Sequence, residues 1–451
     1  MIAPEYKNGK YETEDAYKNR LKSDFARTVQ TLINHIGKKP RVMVWPYGQF
    51  NDVAVQIARQ AGMPHYFSLG EKIVNKVGDK HIGRLLLNAE TDLNTVKNYL
   101  DGIDESKQIQ RVLHVDLDYV YDADKAQQAK NLDKLIDRIY RYGVTTVYLQ
   151  AFSDPDGDGV ADALYFPNKY LPVRDDIFGR IAWQLQTRAG VQVYAWMPVL
   201  AFDLRKGVKE AEYVIDSRTG KPSTKAYLRL SPYNNQNVEI IKSIYNDLSF
   251  YAKFNGILFH DDAFLTDFEG AEGTHAEGMV SPQAKQKTQD LIQLTHQLTD
   301  ALKPYFLRGS YSLKTARNIY ASVITTPNAE EWLAQNLKTL TENYDTTAIM
   351  AMPYMENEQP ISQKEAYQWF ASLIENVKAQ APLDKVLFEF QAVNWRTQKP
   401  IPESELIDWM TLLQKNHIYS YGYYPDNFLT NQPDMNKMKP YFSVNTNAGK
   451  K

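Results

Sequence analysis

Eight short runs rich in β-branched and aromatic residues alternate with stretches of helical periodicity, and this repeat constrains the fold more than any other feature. Most of the runs are nearly continuously apolar, as strands buried on both faces are. Eight strand–helix units in about 320 residues match the size of a (β/α)₈ barrel. The predicted fold class is therefore α/β, a TIM-like (β/α)₈ barrel, because the alternative of a doubly wound open sheet gives no reason for eight units. The runs are residues 111–118, 145–152, 191–198, 256–263, 313–321, 347–355, 386–394 and 420–428.

Polar and aromatic side chains stand near the C-terminal end of most of these runs. The active site of such a barrel forms at that end of the strands. A single polar residue there would be a solvated strand end, but many of them converging on one rim imply a cleft. The residues are Asp116, Asp118, Gln150, Trp196, His260, Asp261, Asp262, Arg317, Asn318, Tyr354, Glu389, Gln391, Asn394, Trp395, Tyr423, Tyr424, Asp426 and Asn427.

The adjacent aspartates in the FHDDAF run are the strongest catalytic candidates. Glycoside hydrolysis needs one protonated carboxyl to donate to the leaving oxygen, and a second group to stabilise or attack the oxocarbenium-like centre. We predict Asp262 as the general acid, its pKa raised by Asp261, with His260 supporting the pair. The alternative is that one aspartate caps the strand and the other forms a salt bridge.

Two further carboxylates lie two residues apart on the first strand. Asp116 and Asp118 are predicted either to bind a cationic amino sugar or supply the second carboxylate, or to hold loop structure through Arg or backbone N–H groups. Glu389 lies in the middle of its strand, which favours pairing inside the barrel over direct chemistry.

Aromatic residues are abundant, with 30 Tyr, 18 Phe and 7 Trp. They fit either the aromatic-rich core of a large barrel or platforms that stack on sugar rings, and composition alone does not choose. Trp395, Tyr423 and Tyr424 are the candidate stacking walls, with plain packing as the alternative.

The DPDGDG run places Asp154, Asp156, Asp158 and Gly159 at the spacing of a calcium loop. The twelfth position, however, is Tyr165, where such a loop needs a bidentate Glu. Turns rich in Asp and Gly also form without a metal. We therefore predict no metal ligand in the barrel.

Other functional classes lack support. The net charge of −2 argues against a nucleic-acid partner. The chain has no cysteine, and the sequence contains no phosphate-binding loop, no H-x₃-H pair and no GxSxG elbow. No apolar run approaches the roughly 18–20 residues of a membrane span, and the N-terminus carries no signal peptide.

Several long motifs carry a resemblance to a known family. HVDLDYVYD, VYLQAFSDPDGDG, YAWMPVL, GILFHDDA, KTARNIYA, AIMAMPYM and GYYPDNFL resemble the C-terminal domain of the poly-β-1,6-N-acetyl-D-glucosamine N-deacetylases of bacterial biofilm export, the PgaB type. The resemblance runs from about residue 10 to residue 440. It implies a barrel glycoside hydrolase that binds and cleaves the partly deacetylated polymer. It also implies a location in the periplasm at the outer membrane, with an export porin as partner.

The N-terminal segment resembles the last third of a carbohydrate-deacetylase domain, with Pro46 and Tyr47 in its proline-tyrosine-glycine motif. The Asp-Asp motif and the H-x₃-H zinc pair of that domain are not in this sequence. We therefore expect a fragment or a misplaced start codon, with zinc needed only in the absent part and no cofactor for the barrel. The expected division is residues 1–105 as an α/β deacetylase remnant and 108–445 as the barrel.

Three functions are compatible with these observations. The first is endo-hydrolysis of partly deacetylated polymer, whose ammonium groups an acidic groove would attract. The second is a binding module that guides the polymer during export without catalysis. The third is deacetylation, which the absence of zinc ligands disfavours. The groove would be formed by Asp116, Asp118, Asp261, Asp262 and Asp426.

Overall fold

The computed structural model describes residues 3–69, 74–87, 93, 96–97, 109–223, 227–270, 280–309 and 312–446. The chain divides into two compact units. The first comprises Met1–Gln108 together with Tyr245–Asn255 and Asp300–Leu313, and the second comprises the rest of the chain. No helix in the described part of the chain is both long enough and apolar enough to cross a membrane.

The second unit is built on a closed barrel of eight parallel strands. Neighbouring strands pair in chain order, and the last strand closes the barrel on the first, with Tyr421 opposite Arg111. This closure confirms the predicted (β/α)₈ architecture. The barrel strands are, in order, Arg111–Val115, Thr146–Gln150, Gln192–Met197, Gly256–Phe259, Lys314–Tyr320, Thr346–Ala351, Val386–Gln391 and Tyr421–Tyr424.

A helix follows each barrel strand. Their ends follow local capping chemistry: Asp124 accepts the Ala126 N–H at the start of the first, and Gly143, with φ 71°, ends it in the left-handed region. Ser362 and Glu365 form a reciprocal capping box at the sixth. The helices are Lys125–Tyr142, Phe178–Gln184, Asn235–Tyr251, Pro282–Leu302, Leu337–Asn343, Gln363–Gln380, Glu403–Lys415 and Met435–Phe442.

Short elements lie between the strands and helices. Single-turn helices follow the first, fifth and sixth barrel strands. In the described part of the loops, three hairpins form from strands of two residues each. The turns are Leu117–Val120, Ser322–Thr325, Glu330–Leu333 and Pro353–Glu356. The hairpin strands are Phe152–Ser153 with Ala163–Leu164, Ile215–Asp216 with Lys221–Pro222, and Val393–Asn394 with Lys399–Pro400.

The described part of the first unit contains a three-stranded parallel sheet, a helix of 23 residues and a shorter helix of 9 residues. An aromatic cluster forms its core, in which Tyr17 contacts Phe250 and Tyr305 at ring-centroid distances of 5.8 and 6.0 Å. These contacts explain why two later segments of the chain belong to this unit, which the sequence division at residues 105–108 did not foresee. Its helices are Glu14–Ile36 and Asp52–Gln60, and its sheet strands are Val42–Val44, His65–Leu69 and His81–Arg84.

Candidate active site

The third and fourth barrel strands bring together an indole, an imidazole and a carboxylate. Trp196 Nε1 donates a hydrogen bond to His260 Nδ1 over 2.8 Å. His260 Nε2 lies 3.0 Å from Asp261 Oδ1 as an ion-pair contact, and this oxygen accepts no hydrogen bond among the described residues. The other oxygen of Asp261 accepts from the hydroxyls of Tyr227 and Tyr320, each at 2.9 Å.

The environment of Asp261 keeps this carboxyl group ionised. Burial alone would raise its pKa. The close contact with His260 and the hydrogen bonds from the two tyrosine hydroxyls outweigh burial, so the pKa of Asp261 is lowered below the usual value. The structure therefore places a stable negative charge at the end of the fourth strand.

Asp116 follows the first barrel strand and has the opposite character. Its side chain is 8% exposed, its Oδ1 atom has no hydrogen-bond partner among the described residues, and Tyr424 donates to Oδ2 at 3.4 Å. Burial and the neighbouring charge of Asp118 raise the pKa of Asp116 to about 8. Asp116 is therefore protonated at neutral pH, as a general acid must be.

Aromatic rings line the space around these groups. Trp395 stacks on Tyr424 with ring centroids 6.1 Å apart, and both side chains are partly exposed. Tyr424 in turn meets the edge of Trp196 at 5.4 Å, and Phe152 packs against Trp196 at 5.7 Å. Such partly exposed faces suit the apolar face of a sugar ring.

Asp262 takes part in the fold of the neighbouring loop. Its side chain is fully buried, and its two oxygens accept the backbone N–H groups of residues 199–201 at 2.6–3.0 Å. Burial, rather than the charge of Asp261, is the main cause of its raised pKa. This geometry disfavours the predicted role of Asp262 as general acid, because neither oxygen is open to a ligand.

Asp426 and Tyr423 are part of a buried ion-pair network, which corrects their predicted place in the groove. Arg138 contacts Asp426 at 2.6 Å, with side chains that are 6% and 0% exposed. The Tyr423 hydroxyl donates to Asp426 at 2.6 Å. Asn427 also has a structural contact, since its side-chain oxygen accepts the amide N–H of Leu429 at 3.2 Å.

Asp118 takes the loop-holding role that was one of its two alternatives. It pairs with Arg174, and it also accepts hydrogen bonds from Tyr165 and from Ser153 Oγ. It further accepts the backbone N–H of Asp154 at 3.0 Å. Its charge still acts on the site through its effect on the pKa of Asp116.

The DPDGDG run forms a tight acidic turn. The carboxylate oxygens of Asp154, Asp156 and Asp158 lie within 4.8 Å of one another. Asp154 also accepts the backbone N–H groups of residues 157–159 at 2.9–3.0 Å, so this carboxylate stabilises the turn directly.

Two other predicted site residues, Glu389 and Tyr354, are engaged in polar contacts. Glu389 is paired inside the barrel, with His114 at 2.8 Å and Asn318 at 2.6 Å. The Tyr354 hydroxyl donates to Glu405 at 2.6 Å.

The proline-tyrosine-glycine motif belongs to the first unit. Pro46–Gly48 forms a single 3₁₀ turn, within which Tyr47 has a φ of 56° and is 89% exposed.

Sequence reasoning missed several partners of the site. Tyr320 ends the fifth strand, so its position at a strand end was a usable signal. Tyr227 comes from a loop after the third strand, and nothing in its local sequence marks it. A Cβ at Gly159 would lie 1.9 Å from the Tyr227 ring, and Gly159 has a φ of 79°, so this close approach requires glycine.

The fold and this cleft define the class of the protein, a barrel glycosyl hydrolase. Residues 114–424 match the family described as hypothetical glycosyl hydrolase family 13, and the chain belongs to this family. Residues 10–66 match the polysaccharide deacetylase family.

The comparison with individual proteins is more specific. The chain is 38% identical over 461 residues to the poly-β-1,6-N-acetyl-D-glucosamine N-deacetylase of Escherichia coli K12, covering 97% of this chain and 67% of that protein. The structure of the PgaB (BpsB) glycoside hydrolase domain from Bordetella bronchiseptica matches with a TM-score of 0.67 and 39% identity. That match covers 74% of this chain and 99% of the Bordetella domain. These findings confirm the family resemblance seen in the sequence.

Proposed function

We propose that the barrel binds and hydrolyses partly deacetylated poly-β-1,6-N-acetyl-D-glucosamine at internal linkages. One observation carries the proposal: a protonated carboxyl, Asp116, and an ionised one, Asp261, stand in one aromatic-lined cleft. Glycoside hydrolysis needs this division of roles between two carboxyl groups. The polymer is named from the similar Escherichia coli protein, whose name gives its activity on this polysaccharide.

The geometry supports a distinct task for each group. The buried Oδ1 of Asp116, which has no hydrogen-bond partner among the described residues, donates its proton to the glycosidic oxygen as the bond to the anomeric carbon breaks. Asp261 stabilises the positive charge that develops at that carbon, and its charge also attracts the ammonium of a glucosamine unit. Water adds to the anomeric carbon and releases a proton, which restores the protonated Asp116 and completes hydrolysis. Trp395 and Tyr424 hold the sugar rings by stacking.

Asp262 acts in this scheme as a support for the cleft. By fixing the backbone of residues 199–201, it holds the loop that follows Trp196. This role differs from the acid role predicted from the sequence, and the two make different predictions for Asp262→Asn, which are compared in the Discussion.

Mass spectrometry of soluble products tests the function directly. Wild-type protein incubated with partly deacetylated polymer is expected to release short oligomers, whereas Asp116→Asn and Asp261→Asn release few. Asp133→Asn is the matched control, because this carboxylate is 67% exposed on a helix and pairs only with Arg188 among the described residues. If every variant binds the polymer and the wild type releases no product, the hydrolase function is wrong and the export-guiding function is favoured.

The cellular setting is part of the same proposal. The family resemblance supports a periplasmic location at the outer membrane and an export porin as partner. Fractionation of cells that express the protein from its own gene, followed by crosslinking in the polymer-exporting strain, tests both. Recovery in the cytoplasmic fraction alone would contradict this setting.

A further inference from the structure

The contact between Trp196 and His260 determines where the histidine carries its proton. An indole N–H is a donor only and never accepts a hydrogen bond. Trp196 Nε1 points at His260 Nδ1 over 2.8 Å, so Nδ1 must be the acceptor and carries no proton. The single proton of the neutral ring is then on Nε2, the atom that lies 3.0 Å from Asp261 Oδ1.

The same contact opposes protonation of His260. An imidazolium carries protons on both nitrogens, so its Nδ1–H would face the indole N–H directly. Protonation would therefore remove one hydrogen bond and bring two donors together in a buried place. The His260 side chain is 12% exposed, so water has little room to relieve that conflict.

We propose that Trp196 is a positioning residue, which holds His260 as the neutral Nε2–H tautomer and thereby keeps the full negative charge of Asp261 in the cleft. The proposal rests on the proposed hydrolase function, because it is for charge stabilisation at the anomeric carbon that Asp261 needs this charge. In this proposal, the charge in the cleft depends on Trp196 as well as on the carboxylates.

The carboxylates around His260 favour its protonated, imidazolium state. Burial lowers the pKa of His260, but the charges of Asp261, Asp262 and Asp154 favour the imidazolium, so the balance of these effects is a raised pKa. The titratable Tyr227 packs against the ring at 5.7 Å with its hydroxyl bonded to Asp261. The hydrogen bond from the indole opposes the effect of these carboxylates, because it needs a bare Nδ1.

The position of the indole is fixed by the barrel. Trp196 lies in the third strand, with its ring edge-on to His114 at 5.2 Å and to Tyr424 at 5.4 Å. Phe152 closes a third side at 5.7 Å. These contacts leave the indole little freedom to turn its N–H away from His260.

Histidine ¹⁵N chemical shifts test the tautomer without any need for activity. We expect His260, assigned by the loss of its signals in His260→Gln, to show a protonated Nε2 and a bare Nδ1 between about pH 6 and pH 8. In Trp196→Phe, which keeps a ring but removes the N–H, the same residue should take up its second proton at a higher pH than in the wild type. Trp183→Phe, an identical change at a side chain 55% exposed, should leave the His260 signals unchanged. A doubly protonated His260 in the wild type, or an unchanged one in Trp196→Phe, would overturn the proposal.

The pH profile of hydrolysis provides the functional readout. In Trp196→Phe the acidic limb of kcat/KM should move upward to the pKa of His260, so activity below it falls about tenfold per pH unit. A uniform loss of activity with an unchanged limb would mean that Trp196 only packs. If the wild type releases no product while its ¹⁵N spectrum shows the neutral tautomer, the hydrolase function fails and the tautomer assignment stands.

Discussion

The acidic side chains at the barrel rim form two groups that differ in whether all their carboxylate oxygens accept hydrogen bonds from the described residues. The cleft carboxyls, Asp116 and Asp261, each keep an oxygen that accepts no hydrogen bond among the described residues. The support carboxylates, Asp262 and Asp426, are fully buried, and donors occupy all their oxygens. A carboxylate at a strand end is therefore not a catalytic group by position alone. The donors that the rest of the chain brings to it decide its role.

The largest expected effect is on a cleft carboxyl. Asp116→Asn keeps the shape of the side chain and removes the acidic proton. General acid catalysis contributes about 10²–10⁴-fold, so kcat should fall by about that factor. Initial rates of oligomer release measure this loss. The free energy of unfolding should stay near the wild-type value, because Asp116 has one weak hydrogen bond to lose. A variant that loses stability and activity together would place Asp116 among the support carboxylates.

The support group should respond in the opposite way. Arg138→Met leaves the charge of Asp426 buried and without its ion pair. Breaking a buried pair in this manner costs about 3–5 kcal/mol, which urea denaturation will show as a lower free energy of unfolding.

Arg141→Met on the same helix is the matched control. Arg141 pairs with Asp137 at 2.8 Å, but the two side chains are 61% and 53% exposed. An exposed pair is worth about 0–1 kcal/mol, so this variant should unfold almost as the wild type does. Equal losses in the two variants would contradict the distinction between buried and exposed pairs.

Asp262→Asn separates the structure-based role from the sequence-based one. In the wild type, the backbone N–H groups of residues 200 and 201 donate to a carboxylate oxygen of Asp262. In the variant, the side-chain NH₂ group can face these donors instead, and the charge-assisted hydrogen bonds are lost. We expect a loss of about 1.5–3 kcal/mol in the free energy of unfolding, with residual hydrolysis in the folded fraction. Intact stability with a rate as low as that of Asp116→Asn would restore Asp262 as the general acid.

The sequence predicted the barrel because its signal is local and repeated. Each strand is a short apolar run and each helix has its own periodicity and caps, as with Asp124 and Gly143. The residues of the rim were predictable for the same reason, because each one follows a predicted strand directly in the sequence. The first unit was less predictable, because its core depends on rings as far apart in sequence as Tyr17 and Tyr305.

The roles of the rim residues were not predictable in the same way. Whether Asp426 faces a ligand depends on Arg138, which is 288 positions away in the chain. Asp261 depends on Tyr227 and Tyr320, contributed by a loop and by another strand. A single sequence carries no signal for such contacts, so the observations that favour Asp116 over Asp262 as the acid come from the structure alone.

The pH dependence of the wild type tests the two cleft carboxyls together. Asp116 has its pKa raised to about 8, so its proton is present below that pH and lost as the pH rises through it. Hydrolysis that needs this proton should therefore decline above about pH 8. Asp261 has a lowered pKa, so its charge should persist down to pH values below the ordinary range of an aspartate. An alkaline limb that is absent in measurements of kcat/KM would exclude Asp116 as the acid.

The smallest expected effect comes from removing one hydroxyl near the cleft. The Tyr424 hydroxyl donates to Asp116 at 3.4 Å and lowers the pKa of that carboxyl against the effect of burial. Tyr424→Phe should therefore raise the pKa of Asp116 and move the alkaline limb to higher pH, by less than about one unit because the bond is long. Tyr423→Phe is the matched control, since its hydroxyl bonds the support carboxylate Asp426 instead. It should lower the free energy of unfolding and leave the alkaline limb in place. A limb that moves in both variants would mean that the two groups of carboxylates are electrostatically coupled.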